Sequence, residues 1–425
     1  MQKTGNIIRN NHIFDASITP AERERLRALS GRVAQLADRD IEKEKQLLWQ
    51  RHNDLEKTRP LIFCDPENGW HEIITEDALQ CRNPLPRDWE YRLLKEIFWG
   101  EKMGDDRVIQ PWFNLGYICT ETDWGVHEKQ VGGDHNGART WIAPLTQLDD
   151  LSMLCHPTIN VDRPATEQLI ALAQNTFGDL LPVRLRPNWY WTLGMTWELI
   201  NLRGLENFML DMYDHPEGLH RLMAFLRDGT LNKIKFLEDN GLYSLNNEGD
   251  YVGSGAFGWS AQLPAPGFQG RVRNRDLWCL SESQETVGVS PDLFEEFVFR
   301  YQVPIMEKFG RVCYGCCEPV HERWHLLRQI KNLRRVSVSP WCDRAKMAEY
   351  LGNRYVYSLK PHPGLVAGEH FDPEAIRNDA RNALDTAKGC NLELVMKDNH
   401  TIRNEPRRVV EWCRIVREEI EKAGA

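Results

Sequence analysis

In the C-terminal third of the chain, short runs rich in β-branched, aromatic and aliphatic residues alternate with longer stretches whose apolar positions recur every three or four residues. The runs are Arg311-Val312-Cys313-Tyr314, Val336-Ser337-Val338-Ser339, Tyr355-Val356-Tyr357-Ser358-Leu359 and Leu392-Glu393-Leu394-Val395-Met396. The helically spaced stretches cover residues 321–330, 343–351, 372–388 and 405–423. Strands alternating with helices predict a parallel sheet, because a parallel partner is reached only through a crossover. Upstream, Pro60-Leu61-Ile62-Phe63-Cys64, residues 108–113 and residues 243–247 read as further strands, and residues 89–99, 197–212 and 216–239 as helices. The clearest helix start is Ser290-Pro291-Asp292: a capping hydroxyl, a proline suited to the first turn and an acid suited to the dipole. Its apolar stripe is Leu293, Phe294, Phe297, Val298, Tyr301 and Ile305. Residues 20–57 are highly charged, with Leu26, Leu29, Val33, Leu36 and Ile41 at helical spacing, and predict one or two surface helices.

Each C-terminal run ends in groups able to do chemistry. Cys316, Cys317 and Glu318 follow the first, Trp341 and Asp343 the second, Lys360 and His362 the third, and Lys397, Asp398, Asn399 and His400 the last. Reactive groups just past the C-terminal ends of parallel strands are the pattern of a (β/α)8 barrel. The expected fold is therefore α/β, a (β/α)8 TIM barrel over residues 91–425 with a helical N-terminal extension over residues 1–90 packed on it. That extension is expected to shield the barrel or to pair with a second subunit as a homodimer.

A formal charge of −9 and the lack of any basic run argue against nucleic acid and anionic membrane surfaces as partners. No apolar run reaches the roughly 18 residues that span a bilayer, and Met1-Gln2-Lys3-Thr4-Gly5-Asn6 lacks the apolar core of a signal peptide. Eleven cysteines without such a signal point to reduced thiols and a cytoplasmic setting. Fifteen tryptophans, several beside turn residues, suit either loop packing or an aromatic pocket. Residues 132–137, rich in Gly and His, read as a loop, with no following Lys-Ser/Thr to make a phosphate cradle.

The helix from Ser290 and the strand after it resemble the uroporphyrinogen decarboxylase superfamily. The shared order is Ser-Pro-x-x-Phe-x-x-Phe, helix, strand and cysteine-bearing turn, matched from Ser290 to Cys316. Leu202-Arg203-Gly204-Leu205-Glu206 and the run from Asp211 to Glu217 resemble that family's helix pair. The resemblance spans roughly residues 90–420 and implies a (β/α)8 barrel. Members that decarboxylate uroporphyrinogen carry an arginine-rich N-terminal signature that grips carboxylates; here Arg59-Pro60 stands alone. The methyltransferase branch acts on corrinoid-bound methyl groups and holds zinc with His-x-Cys at the end of this strand plus a later cysteine. The matching residues here are Tyr314 and Cys316, so the cysteine is present and the histidine is not.

Alternate side chains of a strand share a face. Tyr314, Cys316 and Glu318 are expected on one side, facing the lumen, and Cys313 and Cys317 on the other; Asp398 and His400 likewise share a face. Zinc is expected on Cys316, Cys317 and His400, with Glu318 or Asp398 as a further ligand. The plainer alternative is that these cysteines are small buried residues and the histidine a hydrogen-bonding one. Glu318, Asp398 and Asp250 are the expected acid–base residues, and Tyr314, Trp341, Lys360, His362, Glu248 and Asn247 the expected substrate contacts. The reading favoured is a zinc-dependent methyltransferase moving methyl between a small methylated compound, aromatic in keeping with the tryptophan-rich rim, and a corrinoid carried by a partner protein. The alternative is a decarboxylase of a porphyrinogen or smaller polycarboxylate, with Asp250 or Asp398 as the acid. A third is a non-catalytic barrel that binds a small ligand.

Overall fold

The computed structural model describes residues 17–127, 129–132 and 139–424, so the Gly/His-rich loop expected at 132–137 lies outside the described residues from 133 onward. The chain folds as α/β. Strands β1 (Leu61–Cys64), β2 (Phe113–Leu115), β3 (Val183–Leu185), β4 (Trp278–Ser281), β5 (Arg311–Tyr314), β6 (Leu333–Val338), β7 (Val356–Leu359) and β8 (Asn391–Met396) carry the site. Six of them form one parallel sheet in the order β1-β8-β7-β6-β5-β4, and β2 pairs with β3, also parallel. First and last strands are thus neighbours, and β1 lies inside the stretch read as the N-terminal extension.

Every residue of β1, β4, β7 and β8 is buried, which requires cover on both faces. The register puts Leu61, Phe63, Trp278, Leu280, Cys313, Arg335, Ser337, Ser358, Glu393, Val395 and, beyond the strand end, Lys397 on one face, here called the inner one. The other face carries Tyr314, Val336, Tyr357 and Leu394, and meets helices. Tyr314 reaches Gln302 in the helix Arg300–Met306, and Tyr357 donates to Arg344 O in the helix Arg344–Leu351. The last helix, Arg407–Lys422, buries Val409, Trp412, Cys413, Ile415, Val416 and Ile420, and lies beside β1.

Two N-terminal helices form as the spacing predicted. Helix α1 (Pro20–Ala37) starts at a capping box between Thr19 and Glu22, and α2 (Asp40–Asn53) follows it. The end of α2 inserts against the inner face. His52 Nε2 lies 3.1 Å from Glu393 Oε2, and Asn53 Nδ2 donates to the carbonyls of Phe257 and Trp259. Ser290 caps its helix by accepting from Leu293 N, and Phe294, Phe297, Val298, Tyr301 and Ile305 are buried as expected.

Two strand expectations need correction. Residues 243–247 make no ladder; instead the Asn246 side chain bonds both Trp278 N (2.9 Å) and Trp278 O (3.0 Å), taking the place of a neighbouring strand on the β4 edge. In residues 108–113 only Phe113 enters a strand. The preceding Asp105 and Asp106 carboxylates accept from Cys64 N and Ile62 N and so satisfy the β1 edge. Among the described residues no helix is long and apolar enough to cross a membrane.

Candidate functional site

A short hairpin, Tyr251–Val252 pairing with Ala256–Phe257, lies on the inner face of the sheet. Its glycines are there for close approach. A β-carbon on Gly253 (φ 75°) would stand 3.0 Å from the Cys313 sulfur, and one on Gly255 (φ 90°) 2.9 Å from Val395 Cγ1 and 3.0 Å from Tyr251 Oη. Phe257 packs edge-on to Phe63 with ring centroids 4.6 Å apart. Beneath the hairpin runs a buried polar network: Arg335 Nε lies 3.0 Å from Glu393 Oε1, and Ser358 Oγ donates to Glu393 and accepts from Lys360 Nζ. The Arg335 guanidinium, His52 and Lys360 outweigh the cost of burial and hold the Glu393 carboxyl down at about 2. Burial beside Lys397 and Arg335, offset in part by Glu393, lowers Lys360 to about 8.

Between the β1 and β4 edges and the β2–β3 pair lies a cavity of about 480 Å³, a size suited to a small molecule. Its aromatic lining includes Trp70, Trp99, Trp189, Trp191, Tyr251 and Trp278. Its cations are mostly committed. Arg107 pairs with Glu96, and Arg186 holds Asp250 through Nε at 2.6 Å as well as Glu248 at 2.8 Å. Lys95 differs. Its ammonium lies 4.7 Å from the Trp70 ring centroid, 5.2 Å from Trp99 and 6.0 Å from Tyr91, with no carboxylate paired to it among the described residues. Burial pulls its pKa below the ordinary lysine value, with Asp65 acting on it only from a distance.

Opposite in chemistry is a cluster at the C-terminal end of β1 and β8. Glu67, in a left-handed conformation (φ 50°), follows β1 and lines the cavity. Its Oε1 lies 3.4 Å from Lys397 Nζ, which also pairs with Asp398 at 3.5 Å and donates to Ser254 Oγ at 3.4 Å. Burial raises Glu67 to about 7 even against the pull of Lys397, which places a carboxyl near its balance point at neutral pH. Burial opposes the charge on Lys397, yet Tyr251, Glu67, Cys316 and Asp398 together hold its pKa well above the usual lysine value. The Tyr251 hydroxyl is sealed from solvent and has no hydrogen-bond partner among the described residues.

The expected site residues are distributed unevenly over this arrangement. Asp250 lines the cavity but is clamped by Arg186, and Glu248 is tied to Arg184 and Arg186. Asn247 donates to Leu263 O at 2.7 Å and braces its own loop. Tyr314 is the reverse of the expectation: it faces the helices, with its hydroxyl on Ser283 and Gln302, and Cys313 faces inward. The strand ends at Tyr314 and Gly315 (φ 95°) resets the alternation, which returns Cys316 to the inner side, 3.4 Å from Ser254 Oγ. Glu318 is buried and accepts from Ser283 N and Cys316 N, both at 2.9 Å, so it braces two loops, and burial raises its pKa. Trp341 is 65% exposed and meets the exposed His362 edge-on at 5.7 Å, while His362 Nδ1 accepts from Gly364 N. Lys360 joins the inner network and Asp398 pairs with Lys397.

The residues expected to hold zinc do not fit that ion. Cys316 and Cys317 do meet, but Asp398 (φ 59°) breaks the alternation past β8 and His400 ends up exposed, bonded to Asn68 at 3.0 Å. Among the described residues no three His, Cys, Asp or Glu side chains converge as a metal site. Sequence reasoning assigns no site role to Lys95 or Tyr251; the polar, aromatic loop of residues 65–72 reads as part of a pocket mouth, and Glu67 and Trp70 do line the cavity, while Lys397 is named only among the groups that end the last strand. For Lys95 a signal existed: Tyr91, Lys95 and Trp99 stand four apart on one helical face.

No family model and no curated protein matches the chain. Among solved structures, a methyltransferase from Methanosarcina mazei is similar over 89% of this chain and 98% of that one, with a TM-score of 0.48 and 12% identity.

Proposed function

We propose that this chain is an enzyme acting on a small, flat, singly anionic molecule, and that its reaction is methyl transfer. The six-stranded sheet and the β2–β3 pair are read as the two arcs of one (β/α)8 barrel, with the cavity at their junction. The observation that carries the reading is the pairing of Lys95, a caged ammonium with no carboxylate paired to it among the described residues, with Glu67, a carboxyl poised near 7, on the walls of one aromatic cavity. Lys95 takes the anionic end of the methyl donor and the tryptophans hold its plane. Glu67 gives a proton to the heteroatom that loses the methyl group, and Lys397 restores the charge balance as Glu67 ionises. The acceptor implied by the family resemblance is the reduced corrinoid of a partner protein, which supplies the nucleophile. The cavity is sized for the donor, so that acceptor meets it from outside. No step passes through zinc.

Decarboxylation is the second reading, because an anion clamp and a poised acid would serve it too. One uncommitted cation among the described residues of the cavity suits a monoanion and not a porphyrinogen with eight carboxylates; Arg59, which stands alone in place of the arginine-rich signature, is bonded to Asp106. The two are separated by incubating the protein with 4-methoxybenzoate and chemically reduced cobalamin. Methylcobalamin and 4-hydroxybenzoate are expected. Carbon dioxide released with the methyl group retained favours the decarboxylase, and neither product from a panel of methylated flat anions ends the methyl-transfer reading.

A further inference from the structure

All eleven cysteines are free, and two pairs of them touch. Cys64 and Cys413 hydrogen-bond to each other but are fully sealed, each 0% exposed. The other pair is Cys316 and Cys317, whose sulfurs lie 3.6 Å apart although successive side chains normally diverge. Their convergence has a cause. Gly315 at φ 95° turns the chain as it leaves β5, and the Glu318 carboxylate draws in Cys316 N at 2.9 Å, so both thiols fall on the same side of the bend. Cys316 is 5% exposed and Cys317 only half-buried, so one sulfur of the pair is open to a reagent while the other waits behind it. Cys316 also contacts Ser254 Oγ at 3.4 Å, and Ser254 accepts from Lys397 at 3.4 Å.

We infer that Cys316 and Cys317 are a reversible redox modification site that closes to a disulfide between adjacent residues. The oxidant is a low-molecular-weight disulfide. The Cys317 thiol loses its proton to solvent and attacks one sulfur of that disulfide, whose S–S bond breaks and releases one thiol. The Cys316 thiol then attacks Cys317 Sγ, and its proton leaves with the second small thiol. Two protein thiols are oxidised and one external disulfide is reduced to two thiols. Neighbouring α-carbons lie about 3.8 Å apart, closer than an unstrained disulfide prefers, which makes the bond easily reduced and suits a labile, regulatory role. Closure draws Cys316 Sγ away from Ser254 and so disturbs the hydroxyl that Lys397 holds.

The test is oxidised glutathione on the full chain, followed by denaturation, iodoacetamide and mass spectrometry of the tryptic peptide 312–323, which holds Cys313, Cys316 and Cys317. The expected product is lighter by about 2 Da for the two hydrogens lost and takes one label where the reduced peptide takes three, with dithiothreitol restoring all three. Cys316→Ser should stop at a glutathione adduct on Cys317, and Cys317→Ser should form no disulfide in this peptide. Three labels persisting after excess oxidant, or a stable glutathione adduct on wild-type Cys317 with Cys316 still labelled, overturns the inference. Neither outcome depends on which reaction the cavity performs.

Discussion

Replacing Glu67 by Gln keeps the shape and removes the ionisation, so it isolates what the raised pKa does. The Glu67 side chain is 19% exposed and sits 3.4 Å from Lys397, and its pKa stands at about 7 against 4.5 for an ordinary glutamate. That difference corresponds to about 3 kcal/mol between the folded and unfolded chains. Because the folded value is raised, the sign runs against the usual carboxylate. Below pH 4.5 both states hold the proton and nothing is lost. Between 4.5 and about 7 the folded chain keeps a proton that the unfolded chain has released, so stability falls as pH rises, and above 7 the full cost is present.

Urea unfolding followed by tryptophan fluorescence, run on wild type and Glu67→Gln from pH 4.5 to 8, reads this directly. The gap between the two proteins should move by about 3 kcal/mol in favour of the variant across that range, since every other titrating group is common to both. Activity should report the same ionisation: kcat/KM of the wild type falls above pH 7 as the proton donor ionises, and the variant, although more stable there, loses most of its rate and that pH limb together. Stability curves that run parallel from pH 4.5 to 8 would show that Glu67 is not held protonated by burial, and the proton-donor role would fall with it.

Lys95→Met should raise KM or Kd for an anionic ligand by about tenfold to a hundredfold, the worth of one charge-assisted contact, and leave binding of its neutral methyl ester unchanged, as measured by fluorescence titration. Lys360 has a folded pKa of about 8 against 10.5, so wild-type stability should rise by about 3 kcal/mol relative to Lys360→Met as pH climbs from 8 to 10.5 in urea unfolding. Arg335→Met leaves Glu393 buried without its guanidinium and should cost about 3–5 kcal/mol of unfolding free energy at pH 7, with a smaller loss at pH 4 where Glu393 can take a proton more readily.

The strand–helix alternation, the Ser290 cap and the two N-terminal helices were legible because each depends on local spacing that a folded chain must respect. The facing of Tyr314 and Cys316 was not. The residues are two apart and should share a face, but Gly315 adopts a conformation that ends the strand between them, and no side-chain pattern announces a positive φ at one glycine among thirty. Asp398 does the same to His400. Glu67 was hidden for a different reason. Its importance comes from β1 pairing with β8, a contact between residues 61–64 and 393–396 that no local window contains.

Scaffold and site differ here in how their buried charges are met. A buried ion left alone is costly, and the inner-face network shows how the chain avoids that cost: Glu393 is met by Arg335, His52 and Ser358, and Arg335 in turn reaches Asn53 and Phe257 O. That network balances its charges within itself, and Lys360, although reactive in kind, is tied into it through Ser358 and does not join the cavity chemistry. Lys95 has rings where a carboxylate would be expected, and the Tyr251 hydroxyl has no acceptor among the described residues. A fold selected for stability alone would have given the Lys95 ammonium a carboxylate. The cost of burying Lys95 is recovered when an anion enters the cavity, so the ammonium and the rings around it describe the proposed ligand: negative at one end and flat beyond it.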